Sequence, residues 1–294
     1  MSGSISIDQW LQQAKQQLEA AGHDSHSKDS ALLDAQLLLT HVLEQNRTYL
    51  YTWGDKALTD EQCSRVNSLL EQRLNGEPLA YILGQREFWS LPFKVAPSTL
   101  IPRADTETLI EWVLDLAAEQ QIPAQGSALD LGTGTGAIAL AVASELPDWQ
   151  ITGADFQPEA VALASVNQQA LGFNNARIIQ SDWYQAFSGQ TFDLIVSNPP
   201  YIDGDDPHLD QGDVRFEPKS ALVAEDAGMA DLAHIISQAP EYLNDGGWLL
   251  LEHGFQQAEA VCELLTQCGF TQVENRKDLG GNPRISGGCW NSVK

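Results

Sequence analysis

Leu129-Asp130-Leu131-Gly132-Thr133-Gly134-Thr135-Gly136 passes from an apolar stretch, Ala128–Leu131, into three alternating glycines. The apolar stretch predicts a short strand, and Ala137–Leu146 beyond the glycines predicts a helix. Glycines at such a junction let the chain turn tightly and let its backbone approach a ligand. Ile151–Asp155 reads as a second strand, and Pro158 opens a helix that runs to about Leu171. Arg177–Gln180 and Phe192–Ser197 read as further strands. A helix follows over Met229–Leu243, a strand over Trp248–Glu252 and a helix over Gln256–Cys268. Two last strands are expected near 271–276 and 285–290. Strands separated by helices predict a doubly wound α/β domain over 105–294, with a mostly parallel sheet and one helix before it at 105–120.

The glycine motif alone leaves its ligand open, because Gly132 to Ala137 also satisfies the dinucleotide fingerprint G-x-G-x-x-G/A. Asp155 ends the second strand, where a carboxylate can accept both hydroxyls of a ribose. That suits S-adenosylmethionine (SAM) and a nicotinamide dinucleotide alike. Asp182-Trp183 ends the third strand and can border an adenine; a plain core tryptophan is the alternative reading of Trp183.

Phe192–Ser197 ends in Asn198-Pro199-Pro200-Tyr201. Two prolines fix φ and remove two backbone donors, which leaves free carbonyls at the strand tip. A planar amide or amino nitrogen is a poor nucleophile because its lone pair is delocalised. The Asn198 side-chain oxygen and the Pro199 carbonyl can accept its two N–H groups. Both bonds strengthen as positive charge develops on nitrogen. The Tyr201 ring can pack on the planar group beside a cationic methyl donor. No general base is evident. A rigid proline turn with a capping asparagine is the bland reading, and the placement at a strand end beyond the glycine loop and Asp155 argues against it.

Upstream, Ile7, Trp10, Leu11, Ala14 and Leu18 fall at helical spacing toward Gly22. Ala31 to Val42 carries a second stripe. Thr59-Asp60-Glu61-Gln62 is a capping box before a helix that stops at Gly76. Residues 1–76 therefore predict a small all-α domain without a catalytic constellation, a packing or substrate-docking module; Met1–Ser4 reads as a disordered end. Pro78, Pro92, Pro97 and Pro102 punctuate 77–104, which reads as a hairpin-like linker.

Composition removes several classes. The net charge is -24, and residues 105–294 hold 7 basic against 28 acidic groups. Nucleic-acid binders gain affinity from Lys and Arg at phosphates, so this balance disfavours a nucleic-acid substrate and suits a basic protein. A solubilising acidic surface explains the excess equally well. Cys63, Cys262, Cys268 and Cys289 form no C-x-x-C pair and the histidines form no ligand array, so reduced thiols, a cytoplasmic location and no metal are expected. No apolar run has the length of a membrane span.

The chain resembles the release-factor glutamine methyltransferases, the PrmC/HemK family. The likeness covers nearly the whole chain. It includes Gly76-Glu77-Pro78, Arg86-Glu87-Phe88-Trp89, Leu100-Ile101-Pro102-Arg103, the D-L-G-T-G-T-G loop, Ser197 to Ile202 and Asp213 to Pro218. It implies a class I SAM-dependent methyltransferase domain with a seven-stranded sheet behind a helical N-terminal domain. It implies SAM contacts at Gly132, Thr133, Gly134, Thr135, Gly136, Asp155, Trp183 and Asn198. It also implies that Asn198, Pro199, Pro200 and Tyr201 hold the glutamine of the Gly-Gly-Gln loop of peptide chain release factors. Two departures stand out: Ala104, where the family usually has proline, and the stretch from Gly280-Gly281-Asn282-Pro283 to Trp290.

Asn-Pro-Pro-Tyr serves the exocyclic amino group of adenine or guanine as well as an amide, so a nucleic-acid N-methyltransferase is the competing enzyme. Such an enzyme must flip its target base from the stack. A non-catalytic SAM- or NAD-binding protein is the third reading, and it has no need of two acceptors beside a methyl site.

Overall fold

The computed structural model describes residues 5–21 and 28–292. Met1–Ser4 and the helix end near Gly22 lie outside them. The chain divides into two compact units. One comprises residues up to Gly84 together with 207–216, and the other comprises 85–206 and 217 onward.

The first unit contains α1 (Ile7–Ala21), α2 (Lys28–Leu43), α3 (Arg47–Thr52), α4 (Asp60–Leu74) and α5 (Leu79–Leu83). The apolar stripe of α1 is buried at Ile7, Trp10, Leu11, Ala14 and Leu18, against Ala35, Leu38 and Leu39 of α2 and Val66 and Leu70 of α4. The Thr59–Gln62 capping box forms, satisfying two of the donors left over at the α4 N-terminus. Helix α5 lies within the stretch read as linker. Pro78 occupies its N-cap, where no donor is needed, and Gly84 ends it at φ 70°. Segment 207–216 is held here by Arg73, a buried guanidinium that donates to Asp34 Oδ2 at 2.8 Å and Asp213 Oδ1 at 3.2 Å. It also donates to the Glu77 carbonyl.

The second unit begins with a hairpin, β1 (Gln85–Phe88) and β2 (Leu91–Lys94), followed by a 3-10 turn at Ala104–Thr106 and α6 (Glu107–Ala118). Then come β3 (Ser127–Leu131), α7 (Ala137–Glu145), β4 (Gln150–Asp155), α8 (Pro158–Leu171), β5 (Ala176–Gln180) and β6 (Phe192–Ser197). After a turn at Glu225–Gly228 follow α9 (Ala230–Tyr242), β7 (Leu243–Glu252), α10 (Ala258–Gln267), β8 (Thr271–Lys277) and β9 (Pro283–Trp290). The seven-stranded sheet has the order β5-β4-β3-β6-β7-β9-β8. The pairs among β3 to β7 are parallel, and β9 lies antiparallel between β7 and β8. The last two strands form despite the unusual glycines between them, which close a turn in which the Asp278 N–H donates to the Asn282 carbonyl.

Strand periodicity sorts the core onto two faces. Leu194, Val196, Trp248 and Leu250 pack with α6, α7 and the hairpin. Ile195, Leu249 and Leu251 pack with Leu232, Ile235 and Ile236 of α9 and Val261 and Leu265 of α10. Every residue of α7 from Ala137 to Val142 is buried, which explains its lack of a polar face. The chain reverses its direction of winding at β3, flanked by β4 and β6. Ligands of open α/β sheets collect at the carboxyl ends of strands beside such a switch point.

Candidate active site

The glycine loop sits at that point and is braced from several sides. Thr133 N–H donates to the Ala154 carbonyl, and Thr133 Oγ1 donates to Asp130 Oδ2 at 2.6 Å. Gly132, Gly134 and Gly136 all have positive φ, which costs any L side chain. Asn167 of α8 donates to the Thr135 and Lys94 carbonyls and accepts from Lys94 N–H, joining loop, helix and hairpin. Asp155 accepts from Gly134 N–H and Gln157 N–H, both at 2.9 Å. Burial raises its pKa above the ordinary carboxylate value against the pull of these donors. Each oxygen retains a lone pair, so both ribose hydroxyls of a bound nucleoside can still be met.

Asp155, Trp183, Asn198, Pro200, Gly132, Thr133, Gly134 and Thr135 line a single cavity of about 440 Å³, within the range of small-molecule sites. Gly136, Pro199 and Tyr201 are not on its wall. A side chain at Gly136 would meet Ala164 Cβ and Leu140 at 3.2 Å, so this glycine admits close helix packing. Trp183 has φ 43°, an uncommon conformation for a tryptophan, and the Ser181 hydroxyl donates to its carbonyl. Its ring lies over Gly132. Sequence reasoning placed none of Thr106, Ser98, Leu100, Phe156 or Asp231 at a site, yet all line the same cavity. Phe156 is exposed although apolar, beside the end of β4.

The charge of the wall fits SAM. The group carries two cationic centres and one carboxylate. The wall presents Asp155, Asp182 and Asp231 and a single cationic side chain, Arg103. Arg103 is fixed by a 2.5 Å ion pair with Glu217, whose side chain is fully buried and also accepts from Ile101 N–H. Asp155 would hold the ribose, Trp183 the adenine side and Gly132 to Thr135 the intervening backbone contacts.

The tetrapeptide is anchored behind this wall. The Ser197 hydroxyl donates to the Leu131 carbonyl at 2.7 Å, tying the ends of β6 and β3. Asn198 Nδ2 donates to Thr106 Oγ1 at 3.3 Å, and Thr106 Oγ1 donates to Glu252 Oε2 at 2.6 Å. The Tyr201 hydroxyl donates to Glu252 Oε1 at 3.1 Å. Gln257 Nε2 donates to the Tyr201 carbonyl at 3.0 Å. Beyond it, Ile202 pairs with Val223, so the backbone is fixed on both sides. Burial and the nearby Glu252 push the Tyr201 phenol far above its ordinary pKa. It remains a neutral donor to Glu252. Ala104, where the family usually has proline, begins the 3-10 turn that delivers Thr106.

Among the described residues no helix is long and apolar enough to cross a membrane. Solved structures show the same fold. A methyltransferase from Pyrococcus furiosus superposes with TM-score 0.52 at 19% identity, over 77% of this chain and all of that one. The catalytic domain of hMettl16, bound to an RNA hairpin, gives 0.56 at 15% identity, over 80% and 82%. Residues 9–84 match the family described as PrmC N-terminal domain, and residues 108–215 match Methyltransferase small domain. The chain is 53% identical to the release factor glutamine methyltransferase of Escherichia coli (strain K12), over 96% of this chain and 98% of that one. The enzymes of the same name from Vibrio cholerae and Aliivibrio fischeri are 52% and 50% identical over 98–99% of both chains. With identity of this degree along nearly its whole length, the chain belongs to the release factor glutamine methyltransferases, enzymes that depend on SAM.

Proposed function

We propose that the protein methylates the side-chain amide nitrogen (N5) of the glutamine in the Gly-Gly-Gln loop of peptide chain release factors. The observation that carries this reading is the placement of Asn198 on the wall shared with Asp155, Trp183 and the glycine loop. SAM, when bound, supplies a methyl group on a sulfonium. The chain supplies the rest. Asn198 Oδ1 and the Pro199 carbonyl accept the two N–H groups of the amide and hold its nitrogen in line with the methyl. Their bonds strengthen as charge builds on nitrogen, which lowers the barrier without a proton being removed first. The surplus proton passes to water once the N-methyl amide has formed.

The substrate is protein and not nucleic acid in this reading, in keeping with the 28 acidic and 7 basic groups of residues 105–294. The helical unit around residues 1–76 serves to dock the release factor, 77–104 joins it to the methyltransferase domain, and the reaction takes place in the cytoplasm. Incubation with SAM and a release factor tests the whole. A one-methyl mass gain on the Gly-Gly-Gln peptide is expected; methylation of DNA or RNA alone would overturn the reading.

A further inference from the structure

Asparagine has a hidden ambiguity. Its amide oxygen and nitrogen are nearly the same size, so either can face a neighbour without a steric penalty. For a site that must accept N–H bonds only one orientation works. Turned the wrong way, Asn198 would present Nδ2 to the substrate nitrogen, donor against donor, and the anchoring bond would be lost.

Hydrogen-bond polarity resolves the choice. Glu252 is 1% exposed, at the end of β7. Burial raises its pKa, while the hydroxyls of Thr106 and Tyr201 pull it back toward the ionised form, and as a carboxylate it can only accept. Thr106 Oγ1 stands 2.6 Å from Oε2, so the single hydroxyl proton of Thr106 is committed there. That leaves the Thr106 oxygen only as an acceptor toward Asn198, 3.3 Å away, and an acceptor there requires Nδ2. If Asn198 turned over, Thr106 would have to donate to it and Glu252 Oε2 would lose its partner in a buried site. An unmet buried charge costs several times an ordinary hydrogen bond. The other oxygen, Oε1, is occupied by the Tyr201 hydroxyl. One buried carboxylate thus governs both ends of the tetrapeptide.

We propose that Glu252 is a positioning residue which, through Thr106, fixes the direction of the Asn198 amide so that Oδ1 faces the substrate nitrogen. This rests on the reading of Asn198 as the acceptor for the glutamine. Glu252 does not touch substrate. Its role is to hold a polarity.

The pair Thr106→Val and Thr106→Ser tests the idea at nearly constant shape. Valine removes the hydroxyl, and kcat for release-factor methylation is expected to fall by about tenfold or more, further than any weakening of SAM binding that follows from the place of Thr106 on the cavity wall. Serine returns the hydroxyl and is expected to recover most of that loss. Glu252→Gln, which can donate as well as accept, is expected to behave like Thr106→Val. A readout independent of turnover is the Asn198 side-chain NH2 signal in 15N-resolved NMR, assigned through Asn198→Ala. It should move in Thr106→Val and Glu252→Gln and be kept in Thr106→Ser. If Thr106→Val turns over like the parent while Asn198→Ala is inactive, the relay is wrong and the role of Asn198 stands. If Asn198→Ala itself retains transfer, the underlying reading fails. Should Glu252→Gln lose its fold, seen as lost SAM binding, the threonine pair still decides.

Discussion

A Cβ on Gly228 would stand 2.1 Å from the carbonyl oxygen of Tyr201. Gly228 closes a turn in which Asp226, Ala227 and Gly228 all have positive φ, a run of left-handed residues packed against the back of the tetrapeptide. Gly228→Ala must move one or the other, and it places a side chain at φ 82°. The backbone strain alone costs about 1–3 kcal/mol. We expect a lower melting temperature and a fall in kcat of about tenfold or more, as small displacements at a reacting centre do. SAM affinity, measured by calorimetry, should be little changed, because Gly228 is not on the cavity wall.

In the proposed site Asp155 would serve cofactor and loop with one carboxylate. Replacing it with alanine removes the ribose acceptor and the bond to Gly134 N–H together. Hydrogen bonds to charged groups contribute about 1.5–3 kcal/mol, so SAM binding should weaken by about tenfold to a hundredfold. An unchanged Kd would remove Asp155 from the cofactor site.

Asp130 lies under the loop, 1% exposed, and its Oδ1 has no partner among the described residues. Burial raises its pKa from 3.8 to about 7, while the Thr133 hydroxyl and Ala139 N–H pull it down. The folded protein therefore binds this proton more tightly than the unfolded chain. The resulting stability is fully present below about pH 4 and is lost as the pH rises through about 7, up to about 4 kcal/mol in all. Denaturation curves at several pH values should show this slope, and Asp130→Asn should flatten it and gain on the parent at pH above 7. An identical slope in both proteins would place the titration elsewhere.

Glu217 is the buried partner of Arg103 and of Ile101 N–H. Glu217→Ala leaves a half-buried guanidinium and a buried N–H unmet. Loss of one partner of a buried pair costs about 3–5 kcal/mol, less here because a third of Arg103 is exposed. We expect about 2 kcal/mol from chemical denaturation, and weaker SAM binding because Arg103 is on the wall.

Much of this fold is legible in the sequence. The βα alternation, the helix Pro158–Leu171 and the strand Phe192–Ser197 follow from local periodicity and punctuation, and the structure has them at those residues. From the sequence β7 is expected to start at Trp248, because Asn244-Asp245-Gly246-Gly247 looks like a turn, whereas the strand begins five residues earlier, at Leu243. Asn244 is drawn into the sheet by Asp193, which accepts from its side chain and from Ser127 N–H. Helix α5 was hidden by its brevity and by Pro78. The anchoring set behind Asn198 was invisible for another reason. Thr106 and Glu252 are separated by 146 positions and meet only through the fold. Each is an ordinary polar residue in its own segment, and no spacing rule joins them.

The segment 207–216 has a consequence for how the molecule can be divided. It lies within the span of the catalytic sequence, yet it is part of the helical unit, where Asp213 helps neutralise Arg73. The helical unit is thus discontinuous along the chain. A fragment ended at Gly84 would lack one of its own walls, and the remainder would carry that wall with nothing to rest on. Exchanging N-terminal modules between relatives requires grafting two pieces of sequence at once, and a single-crossover chimera separates Arg73 from the Asp213 it was paired with.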